Sequence, residues 1–383
     1  MEYIFFVSYL IGLGTLISKD KILKLYSTIL LILVIWTLLG FSETVDLFNY
    51  RIMYDEAGQI DPFSFFSDYT GRDKGYIFFM SCFNYLGASF DFFHATIATI
   101  LVLSLIYFSR KITKSTLMVL LLYLIGPFFI DTTQIRTLIV HILTFIAFYE
   151  YAKGGQIASM KAICIILLAS TFHILALFYL PFFIFVKFHE FKIVNLFIVG
   201  IVFFYPIYVD AFAGLIGNWL TAFLYTSADS NLSVFARYDL GVSIYKKYGY
   251  WLYLNGMIAV LFFIKKYIHE KINYCNIAPE RVNFSIKYLD TCFAISKYLL
   301  LFLPIYAING AELGRCPRCF FLTFINAVTL FCDINKNAYT KIGIFLISAF
   351  LVFTEGFMNL FYSISEAVIL ILTDNSLIHA LGL

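Results

Sequence analysis

Apolar stretches of roughly 15–21 residues, separated by short polar breaks, recur along nearly the whole chain, and this spacing is the pattern of packed transmembrane helices. The stretches fall near residues 2–17, 24–42, 92–109, 115–130, 137–151, 161–173, 174–186, 193–209, 248–264, 288–308, 319–334 and 342–360. A chain of 383 residues that is 61% hydrophobic and 13% charged has about half the charged share of a soluble domain. No single water-surrounded core of this length could hide that much apolar surface, whereas lipid removes the need to hide it. The expected fold is therefore an all-α polytopic integral membrane protein with about 12 transmembrane helices, residues 1–383 forming one multi-pass domain. The first stretch begins with Glu2 and shows no small-residue cleavage site, so it is expected to be retained as a span. A net charge of +3 without a basic stripe argues against nucleic acid as a partner, and the seven scattered cysteines say nothing of redox compartment.

Charge distribution sets the orientation. Lys19, Lys21 and Lys24, then Arg110, Lys111 and Lys114, then Lys153 and Lys161, Lys187 and Lys192, and finally Lys265, Lys266, Lys271, Arg281 and Lys287 occupy breaks that should be cytoplasmic. They share one side only if the apolar segment 76–90 does not cross completely, so it is expected to be a re-entrant or interfacial helix. The N-terminus and residues 43–91, 131–136, 210–247 and 309–318 then lie outside. Segment 43–91 is acidic and rich in Tyr and Phe, and segment 210–247 is aromatic and carries Arg237.

Four constellations could carry chemistry, all at that outer face. In the first, Asp46, Asn49, Tyr50 and Tyr54 lie near one another at helical spacing, a polar ridge with aromatic walls. Flat apolar faces beside carboxylate and amide groups suit a sugar, although an interfacial aromatic belt accounts equally well for the tyrosines. The second is Asp131-Thr-Thr-Gln134-Ile-Arg136, opening the span that contains His141. An arginine at the outer end of a helix adds fixed charge to the exposed amides and suits an anion, and a snorkelling arginine is the simpler alternative. The third, Ser170-Thr171-Phe172-His173, joins two apolar stretches. His173 could exchange protons near neutral pH, but such a residue more often satisfies helix-end carbonyls.

The fourth is Glu312-Leu-Gly314-Arg315-Cys316-Pro317-Arg318-Cys319. One Cys-x-x-Cys pair with no second pair at ligand spacing is a weak zinc or redox signal. Planar guanidinium groups match phosphate oxygens bidentately, which makes Arg315 and Arg318 more informative; an ion pair with Glu312 plus snorkelling is nearly as good an account. With Arg72, Arg136 and Arg237, five arginines share the predicted outer face, where a lipid headgroup would lie. A solute transporter more often places charge at mid-membrane, around broken helices.

Asp46-x-x-Asn49-Tyr50-x-x-x-Tyr54, Gly75-Tyr76, Gln134-x-Arg136, Ala169-Ser170-Thr171-Phe172-His173-x-x-Ala176-Leu177 and Gly314-Arg315-x-x-Arg318 occur in this order across nearly the whole chain. In this ordered set the sequence resembles the EpsG/Wzy-type polymerases of bacterial capsule, exopolysaccharide and O-antigen synthesis. The resemblance implies a glycosyltransferase of the bacterial cytoplasmic membrane, possessing a GT-C-like arrangement and acting on undecaprenyl-diphosphate-linked oligosaccharides. It implies Asp46 and His173 as the candidate catalytic residues. Asn49, Tyr50, Tyr54, Arg72, Tyr76, Gln134, Arg136, Arg237, Arg315 and Arg318 are the candidate substrate-binding residues. No metal or cofactor is expected. The expected partners are the lipid-linked oligosaccharide, membrane lipids, and the flippase and chain-length regulator of the same pathway. The alternatives are an O-antigen ligase or other polyprenyl-donor glycosyltransferase, and a lipid-linked oligosaccharide flippase or transporter.

Overall fold

A computed structural model describes residues 1–44, 46–226, 244–271, 279–308, 315–335, 337–360, 368 and 371–380. Among these residues there are helices and no β-strand, only an isolated antiparallel bridge between Ser42 and Asn375. In chain order the helices begin with α1 (Glu2–Ile17), α2 (Lys21–Phe41), α3 (Leu47–Ala57), α4 (Phe65–Asp68), α5 (Lys74–Tyr85) and α6 (Phe90–Ile112). They continue with α7 (Thr116–Ile125), α8 (Pro127–Thr133), α9 (Ile135–Ala152) and α10 (Gln156–Phe172), then a 3₁₀ turn over Ile174–Tyr179 and α11 (Phe182–Phe185). The remainder are α12 (Lys192–Thr226), α13 (Ile244–Lys271), α14 (Pro279–Leu301), α15 (Leu303–Ile308), α16 (Arg315–Arg318), α17 (Phe321–Ile334), α18 (Ala338–Leu360) and α19 (Ser376–Ala380).

Among the described residues, six helical stretches are long and apolar enough to cross a bilayer: Lys21–Phe41, Phe90–Ile112, Ile135–Ala152, Lys192–Val209, Tyr248–Glu270 and Arg315–Ile334. The pair α7 and α8 makes a seventh if counted as one bent span, and four shorter apolar helices accompany them. The chain is thus a multi-pass helical membrane protein. The expected even set of 12 spans takes a different form. Segment 174–186 is a 3₁₀ turn followed by a one-turn helix, and segment 288–308 is divided between α14 and α15. The reason for the break in 115–130 is local. Gly126 approaches the α18 backbone so closely that a β-carbon there would lie 2.3 Å from the Val352 carbonyl oxygen. Pro127 follows, without an amide hydrogen, and α8 leaves at 69° to α7. The expected loop 210–247 also begins later, because the helical backbone of α12 runs on to Thr226.

Helix α17 sits at the centre, with every side chain from Phe321 to Cys332 buried. Helices α7 and α9 flank it, while α1, α2, α6, α10, α13, α14 and α18 pack around these three. The outer surface of α12 presents Ile193, Leu196, Phe203 and Ile207, each at least 70% exposed. In water such a face would be a severe liability; against acyl chains it costs nothing. Polar contacts fix the helix ends. Asp20 accepts from the amides of Ile22 (2.8 Å) and Leu23 (3.3 Å) to cap α2, and Ser89 caps α6 through the Phe92 amide. Asp333, at the end of α17, accepts from Thr113 Oγ1 (2.7 Å) and Ser115 Oγ (2.6 Å), which locks the start of α7.

Candidate functional site

The short helix α3 carries the first constellation, and two anchors fix it. Arg51 pairs with Glu43 (2.9 Å) and with Asp91 (3.6 Å), tying α3 to the entrance of α6. Tyr54 donates its hydroxyl to the Ala88 carbonyl at 2.7 Å, with its ring against Phe90 and Phe93. The Tyr54 hydroxyl is therefore already committed to the α5–α6 turn, and Asn49 points to the exposed side of α3. Tyr50 takes the opposite direction. It is buried, its ring meets Tyr76 edge-on at 5.9 Å, and the Arg136 guanidinium lies 5.5 Å from its ring centre.

Arg136 stands at the start of α9, just past Gln134, where the chain turns from α8. It forms an ion pair with Asp73, the residue that precedes α5. Its Nε is buried without a hydrogen-bond partner, as is Oε1 of Gln134. The corner that holds these two side chains is itself braced from within. Asp131 on α8 joins His141 Nδ1 on α9 at 2.8 Å and accepts from the Tyr123 hydroxyl on α7 at 2.9 Å. Asp131 and His141 are each 2% exposed, so the brace is deeply buried.

His173 closes α10 and opens the 3₁₀ turn. Its Nδ1 accepts the Leu175 amide at 3.2 Å. A backbone N–H can only donate, so the neutral ring carries its proton on Nε2 and offers that nitrogen as a donor. The turn is joined to α16 by Tyr179, whose hydroxyl donates to the Cys316 carbonyl at 2.5 Å. Arg315 and Arg318 flank that cysteine; Arg318 is buried and Arg315 half-buried. Cys316 and Cys319 are both buried thiols.

The side chains converge from five segments of the chain. Arg315 and Arg136 are the two cations whose fields act on Asp46. Arg315, Arg136 and Arg72 all act on His173. Burial pushes the Asp46 carboxyl up from the ordinary carboxylate range, and the two arginines reverse only part of that effect. The structure thus brings Asp46, Tyr50, Arg72, Tyr76, Gln134, Arg136, His173 and Arg315 into one neighbourhood, with Arg318 on the same turn as Arg315. Arg237, Glu312 and Gly314 lie outside the described residues. Asp73 and the Asp131–His141 brace join the site without having been singled out as site residues. Asp73 had a sequence signal, an aspartate two residues before Gly75-Tyr76, but its partner is 63 residues away.

Residues of five motifs that lie far apart in sequence thus meet in one neighbourhood, and the EpsG family matches residues 25–372 of the chain. The chain belongs to the EpsG family. Membership over nearly the full length supports a role of the polysaccharide-polymerase type, in a multi-pass membrane protein. Neither a curated protein nor a solved structure matches the chain. For this EpsG-family protein the site's chemistry therefore has to be read from its own side chains. Arginines with fixed planes can hold a diphosphate, a partly desolvated carboxylate can accept a proton, and aromatic rings can face a sugar.

Proposed function

We propose that the protein is a polysaccharide polymerase that joins undecaprenyl-diphosphate-linked oligosaccharide repeat units on the outer face of the bacterial cytoplasmic membrane. The observation that carries this reading is a carboxyl raised by burial, Asp46, lying within the fields of the cations Arg315 and Arg136. In the proposed reaction a hydroxyl at the nonreducing end of a fresh lipid-linked unit attacks the anomeric carbon of the growing glycan. The bond between that carbon and its lipid diphosphate breaks, undecaprenyl diphosphate leaves, and the hydroxyl proton passes to Asp46. Arg136, Arg315 and Arg318 take up the charge that develops on the leaving diphosphate. Tyr50 and Tyr76 wall the sugar, and His173 donates from Nε2 to a sugar or phosphate oxygen. His173 suits the proton acceptor's role less well, because its Nδ1 is occupied by the Leu175 amide.

Capsule, exopolysaccharide or O-antigen as the product, a GT-C-like arrangement, and a flippase and chain-length regulator as partners belong to the same reading. An O-antigen ligase would use the same donor and leaving group, and differs only in its acceptor. The test is to supply purified lipid-linked repeat unit to the protein in nanodiscs and to follow both products. Polymer accumulating together with free undecaprenyl diphosphate supports the reading. Transbilayer movement of intact units in liposomes, with no new glycosidic bond, would replace the reading with a flippase.

A further inference from the structure

Asp73 is, among the described residues, the one non-glycine residue with a left-handed backbone, φ 54° and ψ 39°. That conformation is tolerated by aspartate better than by most residues, and such outliers concentrate where a side chain must be aimed. Its place in the chain makes the aim informative. Asp73 is the residue that precedes α5, and its carbonyl accepts from the Tyr76 (2.9 Å) and Ile77 (3.1 Å) amides. An aspartate there ordinarily turns its carboxylate back onto the first amides of its own helix. Asp73 makes no such cap and instead reaches Arg136 at the start of α9. The pair is largely shielded, with the Asp73 side chain 16% exposed and that of Arg136 26%. Tyr50 lies against the same guanidinium. With a carboxylate on one terminal nitrogen and a ring alongside, the guanidinium cannot turn freely. Its Nε is left buried and unpartnered, a donor that an oxygen of a bound ligand would satisfy.

We infer that Asp73 is a positioning residue for Arg136: it gives up capping its own helix to fix the guanidinium so that its unpaired donor edge meets a diphosphate oxygen. This rests on the diphosphate-binding role proposed for the site. Asp73 acts through Arg136, and its left-handed backbone is the means by which the carboxylate leaves its own helix.

The test uses the full chain in nanodiscs, with undecaprenyl diphosphate as the binding probe and the lipid-linked repeat unit as substrate. Asp73→Asn keeps the size and the tolerance of a left-handed backbone while removing the charge, and Asp73→Gly relaxes the backbone altogether. Both variants are expected to remain folded, at a lower unfolding temperature because Arg136 loses a shielded partner, and to bind the diphosphate lipid about tenfold to a hundredfold more weakly. Asp73→Glu should recover part of the loss. Combining Asp73→Asn with Arg136→Gln should weaken binding no further than Arg136→Gln alone. Wild-type affinity in Asp73→Asn, independent losses in the double variant, or a wild type that binds no diphosphate lipid would each overturn the inference. The two claims separate cleanly. A wild type that binds the diphosphate lipid but joins no units defeats the polymerase reading and leaves the positioning role standing. Polymerisation equal in wild type and Asp73→Asn defeats the positioning role alone.

Discussion

Gly75 lies so close to Thr171 that a β-carbon on it would come within 2.3 Å of the Thr171 hydroxyl oxygen and 3.2 Å of the Thr171 backbone carbon. The two residues belong to different sequence motifs, and their contact presses α5 against the end of α10, two residues before His173. Phe79 and Phe172 continue the contact at 5.7 Å between ring centres. Gly75→Ala must force the two helices apart or distort one of them, at a cost of about 1–3 kcal/mol. Thermal unfolding in detergent should show the loss, and adding Thr171→Ala, which removes the nearest atom, should restore part of it. A Gly75→Ala protein as stable as wild type would mean that the helices already yield at this point.

The Asp131–His141 brace should behave as a buried hydrogen-bonded pair does when one partner is removed. Asp131→Ala leaves His141 Nδ1 and the Tyr123 hydroxyl facing a cavity, and each buried group left unsatisfied is expected to cost about 1–3 kcal/mol. Replacing both residues by leucine should restore part of that stability, since the pair is removed whole and the space refilled, leaving only the Tyr123 hydroxyl without its acceptor. Unfolding of the two variants in detergent checks this; equal losses would show that the pair contributes more than mutual compensation.

Arginine geometry, rather than charge alone, is expected to matter at the diphosphate. Arg136→Lys, Arg315→Lys and Arg318→Lys each keep the charge and lose the planar fork. Loss of one charge-assisted hydrogen bond, about 1.5–3 kcal/mol, corresponds to roughly a tenfold to 150-fold drop in kcat/KM. Wild-type rates in all three lysine variants would reduce these residues to an electrostatic background.

The raised carboxyl of Asp46 has consequences of opposite sign for rate and for stability. A proton acceptor must be ionised, so the polymerisation rate should fall with acid through a midpoint above the ordinary aspartate value of about 3.9. Stability responds the other way. The folded state holds the Asp46 proton more tightly than the unfolded chain, so this group's contribution declines as pH rises from the unfolded to the folded value. Arg315 lowers the Asp46 value, so Arg315→Gln should move the acid limb to higher pH. A limb that stays in place in Arg315→Gln would separate the two residues electrically.

Topology can be checked directly. With the native cysteines replaced, an impermeant thiol reagent on intact cells should label Asp61→Cys and leave Lys153→Cys unlabelled, because the lysine-rich breaks are expected inside. Labelling of Lys153→Cys alone would invert the protein.

Much of the fold could be read from hydrophobic runs, because lipid imposes a length and an apolar character on each span. The runs could not reveal Gly126, whose bend depends on the approach of Val352, or the division of segment 288–308 at Phe302. The same limit applies at the site. Helical spacing grouped Asp46, Tyr50 and Tyr54, but Tyr50 turns toward Arg136 while Tyr54 spends its hydroxyl on Ala88. Periodicity reports which residues share a face and says nothing of what that face meets. Asp73 and His141 were harder still, since each is defined by a partner on another helix.

The most direct measurement is glycan length from purified lipid-linked repeat unit and each Asp46 and His173 variant in nanodiscs. With Asp46 as the proton acceptor and His173 as a donor, Asp46→Asn should yield single units only, from a protein that still folds and binds the diphosphate lipid. His173→Gln, which keeps a donor, should yield shortened or slowly formed polymer. Long chains from Asp46→Asn, with none from a stably folded His173→Gln, would contradict the account and transfer the acceptor's role to His173.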